Sequence, residues 1–236
     1  MPLSDPETHS RLIKAREPLA LIPPALDALL GLPARSPRVA EALKSLGFSG
    51  LLYVADGLAG YYAELSDFAR SRGLRRLMVT ACPSVSALLS ASYPQIAALI
   101  PAGILPPAER VVKAARLERP ESTIFFLSPC SARARSLGRY VDFAVPLSLV
   151  FSDILAALGR EKAEPLERSE DGSCALPPEG KRSVAGIDEV NAFLSGGGDP
   201  GKGEAASGDP ALVEFLACAG GCSEGDWAPR SGQRRE

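Results

Sequence analysis

The sequence predicts an α/β fold built on a mostly parallel sheet, and three observations carry the prediction. Short β-rich apolar runs alternate with amphipathic helical patterns. Proline and glycine punctuate the joints, at Gly31, Pro33, Gly47, Gly73, Pro94, Pro101, Pro120 and Gly159. No repeat of fixed period suggests another architecture.

In order along the chain, strands are expected at 19–22, 51–55, 77–80, 123–127 and 143–147, each an apolar run of strand length. Helices are expected between them, at 37–46, 58–72, 85–92 and 106–116, with one more at 149–158. Tyr61, Tyr62 and Phe68 fall on one apolar face of the second helix and are expected in the core. Pro106, Pro107 and Glu109 mark the start of the fourth. From Glu161 to about Gly180 the chain turns polar, and 187–194 is expected to form a short helix. Residues 195–210 are glycine-rich and charged, as in a flexible loop. A final helix is expected at 211–216, leading to a pair of cysteines, and the tail from Asp226 is polar and expected to fray.

The 236 residues suit one large domain or two small interlocked ones. Hydrophobic residues make up 46% and charged residues 23%, as in a soluble globular protein. A net charge of −2 gives no basis for expecting nucleic acid or an anionic membrane as partner. The opening Met-Pro-Leu-Ser-Asp-Pro lacks the pattern of a signal peptide, and no apolar run has the length of a membrane span. A cytoplasmic location is therefore expected, where five cysteines are ligands or reactive thiols more than a disulfide framework. His9 is the only histidine and belongs to a polar N-terminal stretch. Ser-His-Asp, Cys-His and histidine-zinc catalysis need an imidazole inside the fold, and none is expected there.

Four cysteines carry the functional signal: Cys82, Cys130, Cys218 and Cys222. Cys82 and Cys130 each follow an expected strand and precede residues able to open a helix. Functional groups of open α/β sheets gather beyond the carboxyl ends of the strands. There, unpaired N–H groups and the positive end of a helix dipole favour the thiolate, which is the metal-binding form. Cys218 and Cys222, four apart, would share a face if their segment were helical. Gly220 and Gly221 between them would let the backbone approach a bulky ligand, with a nest of N–H groups facing its sulfurs. Four thiolates match the ligation of a 4Fe-4S cluster. Two other readings stand on the residues alone: buried structural cysteines, and structural zinc, whose usual C-x-x-C spacing is missing. Cys174, in a polar run, is expected to be a bystander.

Two motif matches fall away. Residues 196–202 fit the start of a phosphate-binding P-loop, but Gly203 replaces the required Ser or Thr and a helix pattern precedes the segment, so a flexible loop is expected. After Cys130, neither Arg133 nor Arg135 has the spacing of a thiol-phosphatase loop. Both are weighed as offsetting cluster charge or as a solvated basic face.

The segments Thr80-Ala81-Cys82-Pro83-Ser84, Ser128-Pro129-Cys130-Ser131-Ala132-Arg133 and Phe215-Leu216-Ala217-Cys218-Ala219-Gly220-Gly221-Cys222 resemble the C-terminal domain of the iron-only (FeFe) hydrogenase large subunit. Ser92-Tyr93-Pro94, Val141-Asp142, Ala20-Leu21-Ile22-Pro23-Pro24-Ala25 and Leu43-Lys44-Ser45-Leu46-Gly47-Phe48 add to the resemblance, which covers about residues 18–225. It implies two interlocked α/β lobes with mostly parallel sheets and one iron–sulfur cluster between them. It implies a hydrogenase-like domain at 18–225, an N-terminal extension at 1–17 and a polar tail at 226–236. It also makes Cys82, Cys130, Cys218 and Cys222 the ligands of a 4Fe-4S cluster.

The same resemblance argues against hydrogen turnover. Active members carry a proton-relaying cysteine where this chain has Ala81, and a lysine where it has Arg133. Their methionines before the second and third motifs are replaced by Ser128 and Leu216, and a usual proline by Ala219. In active enzymes the residue matching Cys222 also bridges to a two-iron subsite, which is not expected here. The chain has no cysteine before Cys82 for upstream clusters, so electrons are expected from a redox or signalling partner protein. The expected function is electron transfer or redox or hydrogen sensing. An active or partial hydrogenase, with its two-iron subsite on Cys222, and a cluster-free interaction module are the alternatives.

Overall fold

Strands with helices on both faces must bury both rows of side chains, and the run Leu-Ala-Leu-Ile does so along its whole length. The computed structural model describes residues 3–160, 181–195, 211–219, 222 and 225–229. The elements are α1 (Pro6–Lys14), β1 (Leu19–Ile22), α2 (Ala25–Leu30), α3 (Pro37–Ser45), β2 (Gly50–Tyr53), a 3-10 turn (Val54–Gly57) and α4 (Leu58–Ser71). They continue with β3 (Arg76–Val79), α5 (Pro83–Ser92), α6 (Pro94–Ala97), α7 (Pro107–Glu118), β4 (Ile124–Ser128), α8 (Ser131–Leu137), β5 (Phe143–Pro146) and α9 (Leu147–Ala157). The last are β6 (Lys181–Ala185), α10 (Ile187–Ser195) and β7 (Ala211–Leu216).

The strands form two sheets in which every pairing is parallel. The first has order β2-β1-β4-β5 and the second β3-β7-β6. The chain lays down β1 and β2, leaves to form β3, returns for β4 and β5, and ends with β6 and β7. The lobes are interlocked for that reason, as expected.

Side-chain alternation divides the core of the first lobe in two. Ala20, Ile22, Phe125 and Leu127 pack with Leu26 and Leu30 of α2, Val39 and Leu43 of α3, and Ile154 of α9. Leu19, Leu21, Ile124 and Phe126 pack on the opposite face with Ala108, Val112 and Ala115 of α7 and Leu137 of α8. In the second lobe, Leu77, Val79 and Leu212 meet Tyr61, Leu65 and Ala69 of α4. Val213, Phe215 and Val184 meet Val85 and Leu89 of α5 and Val190 of α10. Tyr61 is thus a core residue, as expected, with Tyr62 and Phe68 packed against the same cluster.

Three expectations need correction. Residues 211–216 are a strand, not a helix. β7 is the central strand of its sheet, paired with β3 and β6, and its alternating Leu212, Val213 and Phe215 fill both faces. Burial between two neighbours overrides the local helical pattern. β6, in a stretch with no strand expected, supplies one of those neighbours. The polar N-terminal stretch holds α1, capped by the Asp5 carboxylate, which accepts from the Thr8 amide at 2.8 Å. Leu3 and Leu12 are buried in the first lobe, and the Ser4 amide donates to buried Asp153 at 2.9 Å.

The lobes meet at α4 and α7. A Cβ at Gly57 would lie 2.3 Å from the Pro107 carbonyl oxygen, so only glycine allows this approach. Arg110 of α7 pairs with both carboxylate oxygens of Glu64 on α4, at 2.9 and 2.8 Å. Cys174, Gly220, Gly221, the polar stretch 161–180 and the P-loop-like residues 196–203 lie outside the described residues. Among the described residues no helix is long and apolar enough to cross a membrane.

Candidate metal centre

Each lobe delivers a cysteine by the same local device. β3 ends at Val79, and Cys82 is the N-cap of α5. β4 ends at Ser128, and Cys130 is the N-cap of α8. Two residues before each cysteine stands a hydroxyl that accepts from the cysteine amide: Thr80 Oγ1 from Cys82 at 3.0 Å, and Ser128 Oγ from Cys130 at 3.4 Å. Both cysteines lie just beyond the carboxyl end of a parallel strand, as expected. α5 of the second lobe packs against α8 of the first.

The third loop belongs to β7. Thr80 Oγ1 donates to the Phe215 carbonyl at 2.9 Å and so ties the Cys82 loop to the strand that leads into Cys218. Ala219 lies over the end of β6, its Cα 3.7 Å from where a Cβ of Gly186 would be. Asp226 and Trp227 bond to the first lobe. The Gly225 amide donates to the Cys222 carbonyl at 3.3 Å, and the Trp227 amide to the Pro129 carbonyl at 3.0 Å. Asp226 accepts from the Ser131 amide at 2.8 Å, and the Ser148 amide donates to the Trp227 carbonyl at 2.9 Å. Residues 225–228 therefore form a strap over the Cys130 loop, where a frayed tail was expected. A Cβ at Gly225 would meet the Pro129 carbonyl oxygen at 2.3 Å and Cys130 Cβ at 2.8 Å.

Cys82, Cys130 and Cys218 are half-buried and Cys222 is exposed. Cys218 stands in the bend after β7, and the residues that join it to Cys222, on which a shared helical face would depend, lie outside the described residues. Among the described residues, no three His, Cys, Asp or Glu side chains form a group able to hold a metal ion. Thiolates on a cube attach to four different iron atoms and stand farther apart than the ligands of one ion. By its chemistry the donor set suits such a cube: thiols are its usual ligands, and Cys82, Cys130 and Cys218 each follow the carboxyl end of a parallel strand.

The charges around the site belong to the space between the lobes. The Arg133 amide donates to Cys130 Sγ at 3.3 Å. The Arg133 guanidinium acts on two buried groups from other elements, Glu109 of α7 and Tyr61 of α4. Burial pushes the Glu109 carboxyl above the usual carboxylate range, and the nearby Arg133 and Arg139 only partly oppose it. Burial, followed by the Glu214 carboxylate, pushes the Tyr61 phenol well above its ordinary value. Ala81 packs against the apolar cluster of α4.

Solved structures share this fold. An FeFe-hydrogenase structure concerned with oxygen inactivation through its H cluster aligns at TM-score 0.62 and 13% identity, covering 97% of this chain and 85% of that one. HydA in its deltaEFG form aligns at TM-score 0.59 and 13% identity, over 98% and 83% of the two chains. An apo variant of HydA1 from Chlamydomonas reinhardtii gives 0.59 and 13%, over 98% and 82%. No family model and no curated protein matches the chain. The chain has a hydrogenase-like fold, and at this identity the likeness extends to the fold alone.

Proposed function

We propose that this chain is a cytoplasmic iron–sulfur protein that holds one 4Fe-4S cluster through Cys82, Cys130, Cys218 and Cys222. It transfers electrons, or senses redox state or hydrogen, together with a redox or signalling partner. The observation that carries this reading is the stitching of three cysteine loops, drawn from both lobes, by the Thr80–Phe215 hydrogen bond and the 225–228 strap. The hydrogenase-like fold supports it.

A bound cluster would supply one-electron chemistry. The chain's own groups prepare the thiolates. The Arg133 amide supplies a hydrogen bond to the Cys130 sulfur, of the kind that stabilises thiolate charge and tunes potential. Thr80 and Ser128 fix the backbone of Cys82 and Cys130. Ala81 offers no proton carrier next to Cys82, which supports a role without hydrogen turnover.

Anaerobic reconstitution with iron and sulfide, followed by metal counting and infrared spectroscopy, tests the reading. About four irons per chain are expected, with no carbonyl or cyanide bands and no hydrogen evolved from a strong reductant. Carbonyl and cyanide bands with hydrogen evolution would instead favour the hydrogenase. Serine at Cys218 leaving iron content and stability unchanged would favour a cluster-free interaction module.

A further inference from the structure

β2 is the edge of the first sheet, hydrogen-bonded to β1 on one side only. The Ser49 amide donates to the Pro18 carbonyl at 2.8 Å. Backbone groups alternate sides along a strand, so Leu51 and Tyr53 turn theirs toward β1 while Gly50 and Leu52 turn theirs away. Among the described residues, those outward amides and carbonyls of Gly50 and Leu52 find no backbone partner. Other edges carry the features that blunt unwanted pairing: β5 ends in Pro146 and β3 begins with Arg76. β2 reads Gly-Leu-Leu-Tyr, with neither proline nor charge.

The open edge is recessed. It lies at the base of a groove of about 300 Å³, with Ala40 and Lys44 of α3 on one wall and Ala115, Glu118 and Arg119 at the end of α7 on the other. The groove selects its occupant by shape. A second copy would carry the same recess, and two edges sunk between their own helices do not meet. A single extended segment reaches the floor. Charge adds a further preference. Lys44 and Arg119 are exposed and, among the described residues, enter no ion pair. They outnumber the one carboxylate of the walls, Glu118.

We propose that the β2 edge is a docking site for an extended, acidic segment of a partner protein. The segment adds as a fifth strand to the four-stranded sheet, bonds to the outward backbone groups of Gly50 and Leu52, and sets its carboxylates against Lys44 and Arg119. Backbone pairing supplies the affinity, and the two cations select for acid over base. The proposal is independent of any cluster.

The test uses the full chain and a phage-displayed library of random heptapeptides. Enriched peptides are synthesised, and their site is mapped by amide exchange and chemical shifts in the nuclear magnetic resonance spectrum. The expected result is enrichment of peptides bearing Asp or Glu, with slowed exchange at Gly50 and Leu52. The double variant Lys44→Glu/Arg119→Glu should bind them at least about tenfold more weakly, and Lys44→Gln/Arg119→Gln should fall between. Both pairs are surface changes, and circular dichroism checks that each variant is folded. Leu52→Pro, which removes one outward N–H at an edge position that tolerates proline, should weaken binding of the same peptides without charge reversal. The proposal is overturned if no peptide is enriched, if enriched peptides map elsewhere, or if charge reversal leaves binding unchanged. It is also overturned if the chain alone sediments as a dimer with Gly50 and Leu52 already protected.

Discussion

The two cysteine loops that look alike in sequence are held in different ways. In the first lobe the Ser128 hydroxyl donates to the Cys130 carbonyl at 2.8 Å, and the Cys130 sulfur caps its own helix through the Arg133 amide. The hydroxyl and the sulfur of that loop both bond within it, beneath the 225–228 strap. In the second lobe Cys82 makes no side-chain cap bond to α5, which begins with Pro83. The Thr80 hydroxyl lies 3.5 Å from the Cys82 carbonyl and makes its shorter bond, 2.9 Å, across to the Phe215 carbonyl, 135 residues later in the chain. The hydroxyl of one loop bonds only within that loop, whereas the hydroxyl of the other also reaches β7. Most of the first lobe is laid down by α9, whereas sheet pairing in the second depends on a central strand near the end of the described chain. The second lobe is therefore expected to open first, and a ligand bound between the lobes would stabilise it most.

The largest test of this difference is Phe215→Ala. The ring is fully buried and meets Phe193 at 5.5 Å between centroids. Its loss should cost about 3–5 kcal/mol. Hydrogen exchange should then show β3 and β7 losing protection while β1 and β4 keep theirs. Equal loss in all four strands would make the lobes one cooperative unit.

Gly225→Val comes next. The added carbons must displace the Pro129 carbonyl and Cys130 Cβ, at a cost of about 1–3 kcal/mol. Release of the strap should shift Trp227 fluorescence to longer wavelength and lower the iron retained after reconstitution. Thr80→Val keeps the shape of the side chain but leaves the Cys82 amide and the Phe215 carbonyl without their hydroxyl partner. It should cost about 1–3 kcal/mol. Ser128→Ala breaks only local bonds and should cost about 1 kcal/mol. Urea melts of the two variants measure the gap, and a larger effect at Ser128 would reverse the comparison.

The smallest effect concerns the space between the lobes. Because burial raises the Glu109 carboxyl, the folded chain holds that proton more tightly than the unfolded chain does. Glu109 therefore favours folding at low pH, and this advantage fades as pH rises from the ordinary value of 4.5 through the raised one. Glu109→Gln should flatten that part of the stability–pH curve and leave the variant more stable than the parent at neutral pH. Urea melts at pH 4 and pH 7 would show it.

Much of this fold was legible in the residues. Five apolar runs became strands within a residue or two of their expected bounds, because buried parallel strands are short, apolar and bounded by turn residues. Residues 211–216 fit a helix as well as a strand because a six-residue run with five apolar side chains satisfies both patterns, and only the two neighbours of β7 decide between them. α1 was missed because Leu3 and Leu12 are sparse anchors in a polar stretch. Which sheet each strand joins cannot be read from strand order, and the interlocked lobes came from the family resemblance. At the site, the placement of Cys82 and Cys130 beyond their strands was visible. The hydroxyl two residues before each was a signal in plain sight, Thr80 and Ser128, unused because its value lies in a hydrogen bond. The strap was hidden because Gly225 and Asp226 gain meaning only beside Pro129 and Ser131.

The central claim is that thiols from both lobes grip a single cluster. Electron paramagnetic resonance of the anaerobically reconstituted, reduced protein tests it most directly. The expected result is the low-temperature signal of a reduced 4Fe-4S cluster at about one spin per chain, lost or reshaped in each of Cys82→Ser, Cys130→Ser and Cys218→Ser. No signal in the parent chain, or an unchanged one when Cys82 or Cys130 is replaced, would contradict it.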